Sequence, residues 1–390
     1  MVTAALAQDV TRKAVAAGAV AVLAAALAVV LAVVASGPTP LAAGHCTTIV
    51  TPAQREVTSA APGDVLCLEH GTRGALRLFG LAGTADRPIT VVNLGGVVVI
   101  DATGSYAGIE IRDSSHLHIT GTGVEARCGA RYEEPEQACG IRISGSSDGI
   151  TGKVRTEHLT VDHVEIGHIA NTGVGVKDKQ LSRYTWTQHD VAFRDLYIHD
   201  LPNGEGHYHG SSSYRDGSEI LLDGVEITRN LVVRTGRDGI QVGSAPWNCV
   251  IQDNVVYDTG LSGELSHRFG IVVNRGASCD IVGNRVSRTA GEAIYDQGLH
   301  GQTIAGNLIE HASGEGIDIR QGDQSATNPE TPDWPRSTHV VGNTIRHVDG
   351  DGIRLGNSDG QDNRITGNVF SGVTGRNVVL DRGVTALVRT

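Results

Sequence analysis

Residues 203–219, NGEGHYHGSSSYRDGSE, concentrate side chains that could do chemistry. Two imidazoles flank a phenol, a carboxylate precedes them and three hydroxyls follow. Tyr208, His209 or the nearby Lys177 could act as general base, with His207 beside them. A base that takes the proton α to a sugar carboxylate starts β-elimination or C5 epimerisation, provided a cation neutralises that carboxylate. His207 and His209 also stand where equivalent stretches carry aliphatic residues, and positions that break a local rule are enriched in function. Glu205, and Asp238 one repeat later, are candidate calcium ligands.

The elements that must position these residues repeat. GNLIEHASGEGIDI at 306–319 has counterparts starting at 229, 253, 283, 342 and 367. Spacings of this size mark a solenoid. Within a unit, GIDIR, GIQVG and GIRLG alternate with period two and NLIEH forms a further strand, with Gly, Asn, Asp and Ser between them. Three short strands and their turns make one coil of a parallel β-helix. The expected fold is all-β, a right-handed single-stranded parallel β-helix of about ten coils. Asn230, Asn254, Asn284, Asn307, Asn343 and Asn368 then stack as a structural ladder at one turn.

Alternation turns Ile317 and Ile319 inward and Asp318 and Arg320 outward. Aligning AGIEIR, CGIRIS, TGVGVK and EGHYHG with DGIQVG assembles one outward ledge. It carries Glu110 and Arg112, Arg142, Lys177, Tyr208, Gln241, Asn274, Tyr295 and Gln297, Asp318 and Arg320, and Arg354. Cations, amides and phenols in a row suit an anionic sugar chain, although exposed sheets also carry such residues without function. Glu292, Glu315 and Asp351 recur at one turn position, so neighbours fall about 5 Å apart. That column suits hydrolysis across a glycosidic bond or a calcium ion, and a turn preference for acidic residues before glycine also produces it.

The composition fits stacked strands: 390 residues hold 51 Gly, 11 Pro and 4% aromatics. A formal charge of −11, with no Lys/Arg-rich tract in the mature region, argues against a nucleic-acid partner. In residues 11–35, Arg12 and Lys13 precede 22 apolar residues. Residues 1–45 are thus expected to form a hydrophobic helix, either a signal peptide or an N-terminal membrane anchor with a short linker, ahead of a β-helix domain at 46–390. An even cysteine count after an export segment implies disulfides. Cys249 and Cys279 hold the same position in successive repeats, Cys128 and Cys139 bracket a short polar loop, and Cys46 with Cys67 would close the N-terminal end.

The stretch APGDVLCLEHGTRGALRLFGLAGTADRPITVVNLGGVVVI (61–100) combines a PGD opening, a GT-x-x-x-PI-T step and a G-x-VVI strand, followed by the Asn-laddered coils. Over roughly residues 45–390 it resembles the pectate-lyase-like right-handed parallel β-helix proteins, and most of all the family-six polysaccharide lyases, which include chondroitinase B and alginate lyases. The resemblance implies a Lys base in one coil, an Arg in the next and calcium on the sugar carboxylate. Lys177 matches the base, while the next coil reads HYHGSS. The expectation is an exported protein that acts on an acidic, uronate-containing polysaccharide by β-elimination or C5 epimerisation. The alternatives are a glycoside hydrolase using the acidic column and a non-catalytic glycan-binding surface protein. A monomer is expected, secreted or anchored at the outer face of the cell membrane, touching membrane only through its N-terminal segment.

Overall fold

The computed structural model describes residues 45–177, 185–212, 220–298, 301–320, 337–356 and 362–389. The hydrophobic helix expected within residues 1–45 falls almost wholly outside them. Among the described residues no helix is long and apolar enough to cross a membrane.

The described chain winds into a parallel β-helix with three faces. Each coil contributes one short strand per face, as in Trp247–Gln252, Val255–Thr259 and Ile271–Val273. All strand pairings between coils are parallel, for example Cys249 with Cys279 and Val256 with Val286. The first and second faces form one continuous sheet because the long strands Val65–Arg73 and Ile89–Asp101 bend from one into the other. The third face is a separate sheet of twelve described strands, from Glu56–Val57 to Val378–Leu380. Ten of these run from Ala107–Arg112 onward, and the two earlier ones are Glu56–Val57, ahead of the PGD segment, and Leu76–Phe79, within it.

Period-two alternation sends every second residue into the interior. Ile240, Ile271, Ile294, Ile317 and Ile353 stack in register, each wholly buried. β-branched side chains fit such columns because their restricted χ1 suits a pleated surface.

The corner between the first and second faces is held by the asparagines. The Asn284 backbone N–H donates to Asn307 Oδ1 at 2.9 Å, and Asn307 Nδ2 donates to the Ile281 carbonyl at 2.9 Å. The same pattern runs through Asn230, Asn254, Asn343 and Asn368. The residue before each Asn has positive φ, and Gly283, Gly306, Gly342 and Gly367 supply it without steric cost. Disulfides join Cys46 to Cys67, Cys128 to Cys139 and Cys249 to Cys279, the pairings their positions suggest.

Arg142 requires a correction. Its strand, Ile141–Ser144, pairs with Val164–Gly167 on the second face, not with the ledge. Residues 121–140 form an insertion ahead of it, and CGIRIS imitates the third-face pattern. The true third-face strand of that coil is Asp148–Lys153. Arg142 instead pairs with Glu165, Nε to Oε2 at 3.1 Å.

Candidate functional site

Outward residues of the third face form two rows. The first runs Glu110, Thr151, Gly175, Tyr208, Gln241, Val272, Tyr295, Asp318 and Arg354 in direct register. Two residues further along each strand, the second row carries Arg112, Lys153, Lys177, Asn274, Gln297 and Arg320, with glycine at 210 and 243. Apart from Arg142, the expected ledge is therefore brought together. Lys153, beside Arg112 and Lys177, joins them unforeseen, because CGIRIS imitates the third-face strand one strand before Asp148–Lys153.

One concentration of chemistry lies where the turn into the third face meets the strand. Glu292, Glu315 and Asp318 each present an oxygen within 4.8 Å of the others. Glu292 and Glu315 come from the turn column, but the third member is Asp318 from the strand, in place of Asp351. The Asp351 carboxylate instead accepts the Arg376 backbone N–H at 2.8 Å.

Asp318 is fully buried, and neither of its oxygens has a hydrogen-bond partner, nor does Glu292 Oε2. The charges around them are arginines: Arg320 Nε lies 2.7 Å from Asp318 Oδ2, and Arg268 reaches Glu292 at 3.6 Å. Burial, and then the negative charges of Glu315 and Glu292, outweigh Arg320 and push the Asp318 carboxyl up to about 7. Buried oxygens without partners are rare enough in folded proteins to call for a functional explanation. Glu315 is the most accessible of the three, with 18% of its side chain exposed. Tyr295 flanks the cluster, packed on Phe269 with ring centroids 4.5 Å apart and accepting a hydrogen bond from Gln297 at 2.6 Å.

Three coils earlier, Tyr208 points outward and Lys177 Nζ sits 3.5 Å from its ring centre. The Tyr208 hydroxyl donates to Ser212 Oγ at 3.3 Å. Gln241 and Asn274 also face outward but are covered, and Gln241 Oε1 and Asn274 Nδ2 lack partners. Arg354 pairs with Asp381 at 3.2 Å.

His207 and His209 do not belong to the surface. Both are wholly buried, with His207 Nδ1 3.2 Å from His209 Nε2 and the His209 ring stacked on Phe193 at 4.6 Å. Burial alone lowers the His207 imidazole to about 3, and His209 is lowered as well. Neutral rings sealed among Val174, Val176, Ile240 and Val242 cannot meet a substrate, so the expectation of catalytic histidines is corrected. The physical reason is the alternation itself, which turns both flanks of Tyr208 inward.

Glu205 and Asp238 meet His267, contributed by the insertion at 261–267. Asp238 accepts the Phe269 backbone N–H at 2.9 Å and lies 3.2 Å from His267 Nδ1, while Arg237 reaches Glu205 at 3.4 Å. Calcium takes six to eight oxygen ligands. These carboxylates are already occupied by Arg237, His267 and backbone, and do not fit that requirement.

The comparisons with known proteins bear on the scaffold. The family model described as periplasmic copper-binding protein (NosD) matches residues 139–328. No curated protein matches the chain. Among solved structures, a family-136 lacto-N-biosidase from Eubacterium ramulus is 13% identical with a TM-score of 0.51, over 89% of this chain and 67% of that one. Pectate lyase Pel9A is 12% identical with a TM-score of 0.50, over 79% and 77%. The catalytic domain of a GH87 α-1,3-glucanase is 11% identical with a TM-score of 0.51, over 90% and 71%. The chain has the pectate-lyase-like right-handed parallel β-helix fold. At these identities the likeness concerns the fold alone.

Proposed function

We propose that the protein lays a glycan chain along the third face and cleaves a glycosidic bond at Glu292, Glu315 and Asp318. The observation that carries this reading is the buried Asp318 carboxyl, ion-paired with Arg320 but without a hydrogen bond, within 4.8 Å of the partly buried Glu315. Glycoside hydrolysis needs one carboxyl that is protonated near neutrality and a second that is ionised. Asp318, raised to about 7, is suited to hold the proton. Glu315 is suited to attack the anomeric carbon. Oxygens within 4.8 Å of each other leave no room for a water between them, which favours the retaining geometry of about 5–5.5 Å. Arg320 overlies Asp318 and must swing toward the substrate for the proton to pass.

Arg112, Lys153 and Lys177, in consecutive coils, favour an acidic polymer. Lys177 lies five coils from Asp318, about 24 Å at roughly 4.8 Å per coil, so the chain would bind as an extended oligosaccharide. A second reading keeps β-elimination or epimerisation at Tyr208, favoured by the Lys177 ammonium on its ring. Disulfides place the folded domain in an oxidising compartment outside the cytoplasm. Residues 11–35 would export it or anchor it at the outer membrane face.

Two substitutions separate the readings on any polymer the protein degrades. Glu315→Gln should lower turnover by roughly two to four powers of ten while Tyr208→Phe leaves it near wild type. The reverse pattern would transfer the reaction to Tyr208.

A further inference from the structure

We propose a second glycan site in a groove on the first face, one that takes a neutral, hydroxyl-rich sugar unit. It does not rest on the reaction at the third face. The groove has a volume of about 780 Å3, within the range of small-ligand sites. It crosses consecutive coils, whose first-face strands are Ser115–Thr120, Glu157–Asp162, Thr187–Arg194, Leu221–Thr228 and Trp247–Gln252.

Register builds it. Alternation turns Leu117, Leu159, Val191, Val225 and Cys249 into the core, so His118, Thr160, Ala192, Glu226 and Val250 form the outward row beside them. The small Thr160 and Ala192 leave a hollow between His118 and Glu226. Two residues before each member of that row the backbone is left-handed, at His116, His158, Asp190, Gly224 and Asn248, and such irregularities re-aim side chains. They raise one wall of the groove. The His116 and His158 rings stack with centroids 4.1 Å apart, and His158 Nδ1 lies 3.0 Å from Asp190 Oδ2. Gly224 leaves room for Asp190, whose Oδ1 lies 2.5 Å from where a Cβ would stand. Asp162 and Arg194, paired in register two residues beyond the row, form the opposite wall.

Those polar groups are fixed before any ligand arrives. Asp162 accepts from the Thr120 hydroxyl and lies 2.6 Å from His118 Nε2 and 2.8 Å from His163 Nδ1. Arg194 donates through Nε to Glu226 Oε1 at 2.6 Å and through Nη2 to Glu226 Oε2. Pre-set planar groups suit adjacent sugar hydroxyls, each of which donates to a carboxylate and accepts from a guanidinium or imidazole. The C–H face of the sugar then packs on Ala192, Val250 and the imidazole rings. Charge sets the class. The groove holds three carboxylates, Asp162, Asp190 and Glu226, against one guanidinium, Arg194. That balance disfavours a uronate, in contrast to the cations Arg112, Lys153 and Lys177 on the third face. A cationic ligand is disfavoured as well, because Arg194 and the imidazoles already engage the carboxylates.

The test is ligand-observed NMR titration of the full chain with neutral tetrasaccharides of glucose, galactose, mannose and xylose, with a uronate tetrasaccharide and trilysine as controls. At least one neutral tetrasaccharide should bind more tightly than either control. Ala192→Gln fills the hollow from an outward strand position, and His158→Asn removes the ring stack while keeping a residue type that tolerates the left-handed backbone. Each should weaken binding by roughly tenfold or more. Tyr295→Ala, on the third face, should leave it unchanged. Melting curves confirm that each variant is folded. No binding of any neutral tetrasaccharide, tighter binding of the uronate or of trilysine, binding that survives both groove substitutions, or binding lost on Tyr295→Ala would overturn the proposal.

Discussion

Asp318 and the pair His207 and His209 are buried titratable groups facing opposite ways. Asp318 belongs to the outward row of the third face, beneath Arg320, and its carboxyl, raised to about 7, keeps a proton that the unfolded chain releases near 3.8. Folding therefore takes up a proton between those values, and the residue costs stability increasingly as pH rises through that window. Asp318→Asn should melt higher than wild type at pH 8, with the gap shrinking toward pH 4, and should lose roughly two to four powers of ten in turnover. In wild type, kcat/KM should fall as pH rises past about 7, since the proton donor is then ionised. A variant less stable at pH 8 than wild type would show that the carboxylate is stabilised by Arg320 instead.

The buried histidines have the opposite linkage. Their unfolded value is 6.5, and burial lowers His207 to about 3, so the unfolded chain binds more protons between these values. Stability is intact above about 6.5 and declines as pH falls, by up to roughly 1.4 kcal/mol per pH unit for each ring. His207→Ile with His209→Val copies the flanking residues Ile240 and Val242 and removes two partnerless nitrogens. Denaturant titration should show a gain of about 1–3 kcal/mol at pH 7 that widens at pH 5. A loss at both pH values would mean the Phe193 stack matters more than the missing hydrogen bonds.

Among elements, the asparagine corner is the most regular. Asn307→Ala would orphan the Asn284 N–H and the Ile281 carbonyl, at a cost of about 1–3 kcal/mol without effect on chemistry at the third face. Unchanged melting with lost activity would give the ladder a different role. This corner was legible in the sequence because a repeated Asn after a left-handed residue records both turn and register. Alternation likewise placed Tyr208, Tyr295 and Asp318 on one face. Two things were not legible. CGIRIS imitates a third-face strand, and only the pairing of Ile141 with Val164 reveals its place on another face. The join of Asp318 to Glu292 and Glu315 crosses a corner, so it depends on side-chain direction and not on residue spacing.

At the scale of the molecule, stacked coils supply a third face with Arg112, Lys153 and Lys177 toward the N-terminal coils and the carboxyl cluster, with Arg320 against it, toward the C-terminal ones. Twelve described strands in one parallel sheet make that face long enough for several sugar units. The central claim is that a bond in the bound chain is hydrolysed there. Its most direct test is the chemistry of the new ends formed when the β-helix domain, residues 46–390, digests a panel of uronate polymers. New reducing ends without the ultraviolet absorbance of an unsaturated sugar, abolished by Glu315→Gln, are the predicted result. Absorbance rising in step with reducing ends and surviving Glu315→Gln would contradict it.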